Sequence, residues 1–193
     1  TYCLPKDNPD FVRAVAAVPD PNVELLLHGF FVPGDDYARS LRRLASRDPR
    51  VRFMGPYDPP DLPAILAGVD VLLVPSPWPE TFSFVAREAV LAGVPVLASD
   101  LGGLRAAVDD GVNGLLLPSG DVDAWAAAIR RLAASPDLVR AMSVAQSVRP
   151  VRSIEDNVAD LERLYLDVID RRSPRAARSA RTARSARTPE EVA

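Results

Sequence analysis

Short runs of consecutive apolar residues alternate along this chain with longer segments whose apolar residues recur every third or fourth position. The runs are residues 23–28 (VELLLH) before Gly29, 51–54 before Gly55, 70–74 (DVLLV) before Pro75, 95–98, and 114–117. Continuous Val/Leu runs of this length, bounded by Gly or Pro, predict buried strands. The 3.6-residue periodicity predicts helices over 9–18, 35–47, 61–67, 84–92, 102–108, 122–134, a stretch after Pro136, and 154–169. Asp7 or Asn8 is placed to cap the first helix, with Pro9 in its first turn. Tyr37, Leu41 and Leu44 share one face of the second, Gly93 closes the helix over 84–92, and Asp121 caps the next. Ile154, Val158, Leu161, Tyr165 and Val168 form an apolar stripe on the last. Strands separated by helices imply an α/β fold, a Rossmann-like doubly wound parallel sheet covered on both faces. Ligands of such sheets sit beyond the carboxyl ends of the strands. The segments after His28, Met54, Val74 and Ala98 are therefore the ones that carry chemistry.

Composition changes this picture at the C-terminal end. The 193 residues are 48% hydrophobic and 25% charged, an ordinary globular balance. Residues 171–193 hold seven Arg and two Glu, a net of +5, so the other 170 carry −8 of the total −3. Arg172, Arg175, Arg178, Arg181, Arg184 and Arg187 recur every third residue, a period that drifts around a helix and gives no basic face. With no large apolar residue between Arg171 and Glu191, the segment is expected to be a disordered extension of a domain over 1–170. An acidic membrane surface is the alternative partner for it. Nucleic acid is disfavoured because no aromatic is interleaved to stack on bases. No apolar stretch reaches transmembrane length, no leader pattern opens the chain, and Cys3 is the single cysteine. These features predict a reducing, cytoplasmic setting, peripheral to the inner membrane face if the Arg tail makes that contact.

The densest chemistry follows residue 74, in PSPWPETFSFVAREAVLAGVPVLASDLGG. Glu80 precedes a helix start and Glu88 lies on that helix, so the two carboxylates reach one cleft from different levels. Between them, the free N–H groups of about residues 82–85 form an anion site favoured by the helix dipole. Two hydroxyl acceptors flanking a phosphate cradle suit a sugar on one side of a diphosphate and a ribose on the other. A hydrolase carboxylate pair is the competing use of the same residues.

Glu80-x7-Glu88 with Phe82 between, then Ala89, Gly93, Pro95 and Val96, resembles the signature of retaining glycosyltransferases of the GT-B fold, family 4, also called glycosyltransferases group 1. The resemblance continues through Asp100-Leu-Gly-Gly103, Asp110-Gly-Val-Asn-Gly114 and Leu117-Pro-Ser-Gly-Asp121, and covers nearly all of residues 1–170. It implies the C-terminal, donor-binding half of a GT-B enzyme. The reaction it implies is transfer of a hexosyl-type sugar from an NDP-sugar to an acceptor with retention of configuration. Glu80 then contacts donor-sugar hydroxyls and Glu88 the ribose. Thr81, Phe82, Ser83, Phe84 and Val85 present backbone groups to sugar and diphosphate. Lys6 neutralises the leaving diphosphate, Gly55-Pro56-Tyr57 lies against the nucleobase, and Gly29 allows close backbone approach. No metal or other cofactor is expected.

Three positions depart from the family pattern. Ser83 stands where Gly is frequent, and is expected to serve as a helix cap. Asp7 replaces the glycine after the phosphate lysine, and Thr1 falls where the family has an arginine, so the first strand of the sheet is clipped or unusual. The resemblance also implies a missing N-terminal acceptor domain, without which the chain is expected to be inactive in transfer. The rival reading is a non-catalytic nucleotide-binding module. His28, the single histidine, reads as a packed strand-end residue, Cys3 as a small buried hydrophobe, and Trp78 as either a sugar-site wall or a cover for its own loop.

Overall fold

A computed structural model describes residues 8–29, 35–145 and 154–172. Its elements are α1 (Asn8–Ala16), β1 (Leu25–His28), α2 (Asp36–Ala45), β2 (Val51–Gly55), α3 (Leu62–Ala67), β3 (Leu72–Val74), α4 (Phe84–Leu91), β4 (Val96–Ser99), β5 (Gly114–Leu117), α5 (Val122–Ala133), α6 (Pro136–Ala145) and α7 (Ile154–Arg172). The order follows the sequence pattern closely because the local signals act as expected. Asp35 caps α2 by accepting from the Tyr37 N–H, and Asp121 caps α5 by accepting from the Ala124 N–H. Residues 102–108 differ from the expected helix: Gly102–Ala106 is a 3-10 turn. Its first two glycines press against another backbone, described below, and the turn tightens there. The expectations for Thr1, Cys3, Lys6 and Asp7, and for the 171–193 tail beyond Arg172, lie outside the described residues; Arg171 and Arg172 form the last residues of α7.

All strand pairings are parallel. Among the described residues they form two sheets, β1-β2 and β3-β4-β5. Both sheets are parallel, as the alternation of apolar runs and helices predicts. All four residues of β4 are buried, so helices cover both of its faces. Leu97 and Leu115 face the main core with Phe11, Val15, Trp125 and Ile129. Val96 and Ala98 face the other way and are fully buried, and α4 packs on this sheet through Ala86, Ala89 and Val90. Phe11 and Trp125 join α1 to α5, with ring centroids 4.6 Å apart, and the Trp125 indole N–H donates to the Pro118 carbonyl at 3.0 Å.

The chain divides into two compact units, residues 1–149 and 150–193. α7 belongs to the second. Its stripe is fully helical, and every member is exposed, from 40% for Val168 to 78% for Ile154. Among the described residues, no helix is long and apolar enough to cross a membrane.

Candidate functional site

The carboxyl ends of β3, β4 and β5 are tied by serines. The Ser76 N–H after β3 donates to Ser99 Oγ at the end of β4, at 2.9 Å. The Ser119 hydroxyl after β5 donates to the Ser76 carbonyl at 3.0 Å. Ser76 and Ser99 are buried, so these bonds fix the floor from which the loop to α4 departs.

That loop holds Glu80 and Thr81 by backbone contact. The Gly103 N–H donates to the Glu80 carbonyl at 2.5 Å. A β-carbon on Gly103 would lie 2.4 Å from the Thr81 carbonyl oxygen, and one on Gly102 2.6 Å from that of Glu80. Gly102 also sits at φ 49°. Only a glycine pair permits this approach, and through it the start of the 3-10 turn clamps the Glu80 loop.

The loop enters α4 through Ser83, at φ 51° and ψ 84°. Ser83 is the one non-glycine residue with positive φ among the described residues. It occupies the N-cap position, yet its hydroxyl makes no capping bond; the Oγ is buried and without a hydrogen-bond partner. The expectation that Ser83 caps the helix through its side chain is therefore corrected. The left-handed backbone turns the hydroxyl inward, which is why glycine suits this position. Ser83→Gly should raise stability by about 1 kcal/mol, the relief of left-handed strain outweighing the added freedom of the unfolded chain. Urea denaturation checks this, and a fall in midpoint would show that the Ser83 hydroxyl contributes to the fold.

Beyond Ser83, the first N–H groups of α4 have no partner within the helix; intrahelical bonding to the cap begins with Arg87 N–H to the Ser83 carbonyl. Phe84 is 73% exposed, Glu88 and Leu91 are exposed on the same face, and Ala86, Ala89 and Val90 are buried on the other. The Arg87 guanidinium lies 4.1 Å from the Phe82 ring centre and donates from Nε to the Phe82 carbonyl, and Phe82 packs on Phe84 at 5.0 Å. Trp78 is partly exposed in the same loop.

At the carboxyl ends of β1 and β2, Gly29 (φ 146°) donates its N–H to the Gly55 (φ 80°) carbonyl at 2.9 Å. The turn through Pro56 brings Tyr57 edge-on to His28, with ring centres 6.0 Å apart. Burial lowers the His28 pKa below its ordinary value, so the ring is neutral at pH 7. A cavity of about 780 Å³ reaches from His28 and Tyr57 to Pro75 and Val85. Of the expected site residues, Tyr57 and Val85 line this cavity; Gly29, Gly55 and Pro56 lie next to Tyr57 at the ends of β1 and β2, while Glu80, Thr81, Phe82 and Ser83 lie on the loop into α4 and Phe84 and Glu88 on α4 itself. Sequence reasoning passed over Ser76, Ser99 and Ser119, the Gly102-Gly103 clamp and Arg87. A serine just after, or last in, three successive apolar runs was the available signal for the first group.

The family model of glycosyl transferases group 1 matches residues 5–135. D-inositol 3-phosphate glycosyltransferase of Saccharomonospora viridis is 39% identical over 150 residues, covering 72% of this chain and 35% of the relative. Sucrose-phosphate synthase of Thermosynechococcus elongatus superposes with TM-score 0.75 at 31% identity, over 86% of this chain and 43% of its own. Anabaena HepE, solved in complex with UDP-glucose, superposes with TM-score 0.70 at 30% identity, over 77% of this chain and 42% of its own. The chain spans about a third of the length of the curated relatives it matches. Its parallel α/β architecture is that of the C-terminal, Rossmann-like half of a GT-B glycosyltransferase. With the family match spanning more than half of its residues, the chain belongs to the group 1 glycosyl transferases.

Proposed function

We propose that this chain is the donor-binding half of a retaining glycosyltransferase of family 4, taking an NDP-sugar and working with an N-terminal acceptor-binding half. The observation that carries this reading is the Glu80–Val85 loop, clamped by Gly102-Gly103 and opening onto the free N–H groups of α4. The relatives named as glycosyltransferases, and the UDP-glucose complex of HepE, support the same ligand class.

The diphosphate lies at the N-terminus of α4, where the N–H groups of Phe84, Val85 and Ala86 and the helix dipole receive its negative charge. Glu80, at the sugar side of the loop, accepts hydrogen bonds from the donor sugar. Glu88, one turn into α4 on its exposed face, accepts them from the ribose. The Gly55-Pro56-Tyr57 turn carries the base, and Gly29 leaves room for it. When the bond from the sugar's anomeric carbon to the diphosphate oxygen breaks, the electron pair leaves with the diphosphate. The α4 amides and Lys6 stabilise the charge that develops. The acceptor hydroxyl arrives on the same face as the departing diphosphate, held by the other half, which also excludes water.

Two substitutions separate the roles. Glu88→Ala is expected to weaken binding of the nucleoside diphosphate by roughly 1.5–3 kcal/mol, the range for hydrogen bonds to a charged group. Glu80→Ala is expected to leave that affinity unchanged and to weaken the sugar nucleotide alone. Calorimetry with both ligands checks the pair. Equal losses on both ligands for Glu80→Ala, or no loss for Glu88→Ala, would overturn the assignments.

A further inference from the structure

Arg87 holds both peptide groups that flank Ser83. Its backbone N–H donates to the Ser83 carbonyl at 3.4 Å, closing the first turn of α4. Its side chain leans back over that turn, as helical side chains do, and Nε donates to the Phe82 carbonyl at 3.2 Å. The guanidinium carbon stands 4.1 Å from the centre of the Phe82 ring, and the Phe84 ring supports that ring at 5.0 Å. A trans peptide group points its C=O and its N–H in opposite directions. With the Phe82 carbonyl drawn to Arg87, the Ser83 N–H is turned away from Arg87. Left-handed Ser83 followed by helical Phe84 is the backbone pattern of a nest, in which the successive N–H groups of Ser83, Phe84 and Val85 converge on an anion. The strain at Ser83 opposes this arrangement, because φ 51° is disfavoured for a residue with a β-carbon. Turning the Phe82–Ser83 peptide over would bring φ to about −130°, extended backbone that serine adopts freely. It would also aim the Phe82 carbonyl, the negative end of a dipole, where the Ser83 N–H had been.

We propose that Arg87 is a positioning residue for the diphosphate: by holding the Phe82 carbonyl it keeps Ser83 left-handed and the Ser83 N–H in the nest. The bond to Phe82 opposes the flip, and the stack on the Phe82 ring keeps Nε in place to make it. A glycine at this position would hold the same backbone without help, since it populates positive φ about as readily as negative. Arg87 is needed because residue 83 is serine. The backbone part of the proposal stands without any ligand. Its consequence for affinity rests on the function proposed above.

Arg87→Met keeps a long side chain on the Phe82 ring and removes the donor. In the ligand-free chain, the NMR coupling between the Ser83 amide and α protons follows φ, and it should rise as the backbone moves to the extended region. If the flipped form comes to dominate by about tenfold, the competent fraction and the affinity with it fall about tenfold. The probe is whichever of UDP, GDP and ADP binds the wild-type chain most tightly in calorimetry. The Ser83→Gly background supplies a readout that a merely structural or electrostatic role would not move. There, Arg87→Met should weaken binding by no more than about twofold, closing a double-mutant cycle with strong coupling. An unchanged Ser83 coupling constant in Arg87→Met, or the same loss of affinity in both backgrounds, would overturn the proposal. If none of the three nucleotides binds the wild-type chain, the functional reading fails, and the Ser83 coupling constant alone decides this one.

Discussion

Replacing Arg50 by alanine is expected to destabilise the domain by about 3–5 kcal/mol, the range for breaking a mostly buried ion pair. Arg50 closes the C-terminal end of α1 onto the sheet. Nη2 donates to the Val15 carbonyl at 2.9 Å, and Nη1 to the carbonyls of Val18 and Asp20 at 2.7 and 2.8 Å. Nε and Nη2 also engage both Asp48 carboxylate oxygens, at 3.0 and 2.7 Å. Removing the guanidinium orphans these acceptors together, and it removes the positive charge that complements the α1 dipole. Arg50→Lys should recover only part of the loss, since an ammonium cannot reproduce the fork. The loss is a large share of a typical domain stability of roughly 5–15 kcal/mol. The same pair sets an acid limb. The hydrogen bond from Arg50 holds the Asp48 carboxyl below its usual range. Its contribution is complete above the unfolded pKa of about 3.9 and is lost as pH falls from there through the lower folded value. Urea midpoints at pH 7 and pH 3 should therefore show the gap between wild type and Arg50→Ala narrowing in acid. A loss under 1 kcal/mol at pH 7 would show that these bonds contribute little.

Gly103→Ala is expected to damage the site more than the fold. Its β-carbon would stand 2.4 Å from the Thr81 oxygen and 2.7 Å from the Thr81 carbonyl carbon, neither of which is a flexible side-chain end. The backbone must part by about 1 Å, at a cost of about 1–3 kcal/mol for an overpacked contact. The displaced element is the loop that carries Glu80. A misplacement of that size costs on the order of a hundredfold where positioning matters. Binding of the sugar nucleotide should fall much more than binding of the nucleoside diphosphate, while the melting temperature drops by only a few degrees. Unchanged discrimination between the two ligands would mean that the clamp does not position Glu80.

Strands and caps were legible because their causes are local. The run before Gly55 needs no distant partner to read as β2, and Asp121 caps the helix that follows it directly. The spacing of Glu80 and Glu88 is equally local, and the structure sets Glu80 before α4 and Glu88 on it. What stayed hidden depends on contacts far apart in the chain. The Ser119 to Ser76 bond spans 43 residues, the Ser76 to Ser99 bond 23, and the bonds of Arg50 to the α1 end 30 to 35. Alone, Arg50 reads as one surface arginine among many. The role of Gly102-Gly103 is equally remote, since its partner backbone lies more than twenty residues earlier. Ser83 was misread for a different reason: its residue type favours an N-cap, while the turn it occupies imposes a left-handed backbone that carries the hydroxyl away from the helix amides.

The claim at the centre of this account is that a sugar nucleotide places its diphosphate on the N-terminus of α4. Amide NMR spectra of the 193-residue chain, titrated with UDP-, GDP- and ADP-glucose in turn, test it most directly. Saturable shifts from one of the three, concentrated on Glu80–Glu88 and on Gly55 and Tyr57, with the Phe84, Val85 and Ala86 N–H signals moving furthest, are the predicted result. Saturable binding that leaves those three amides unmoved, or no binding of any of the three, would contradict it.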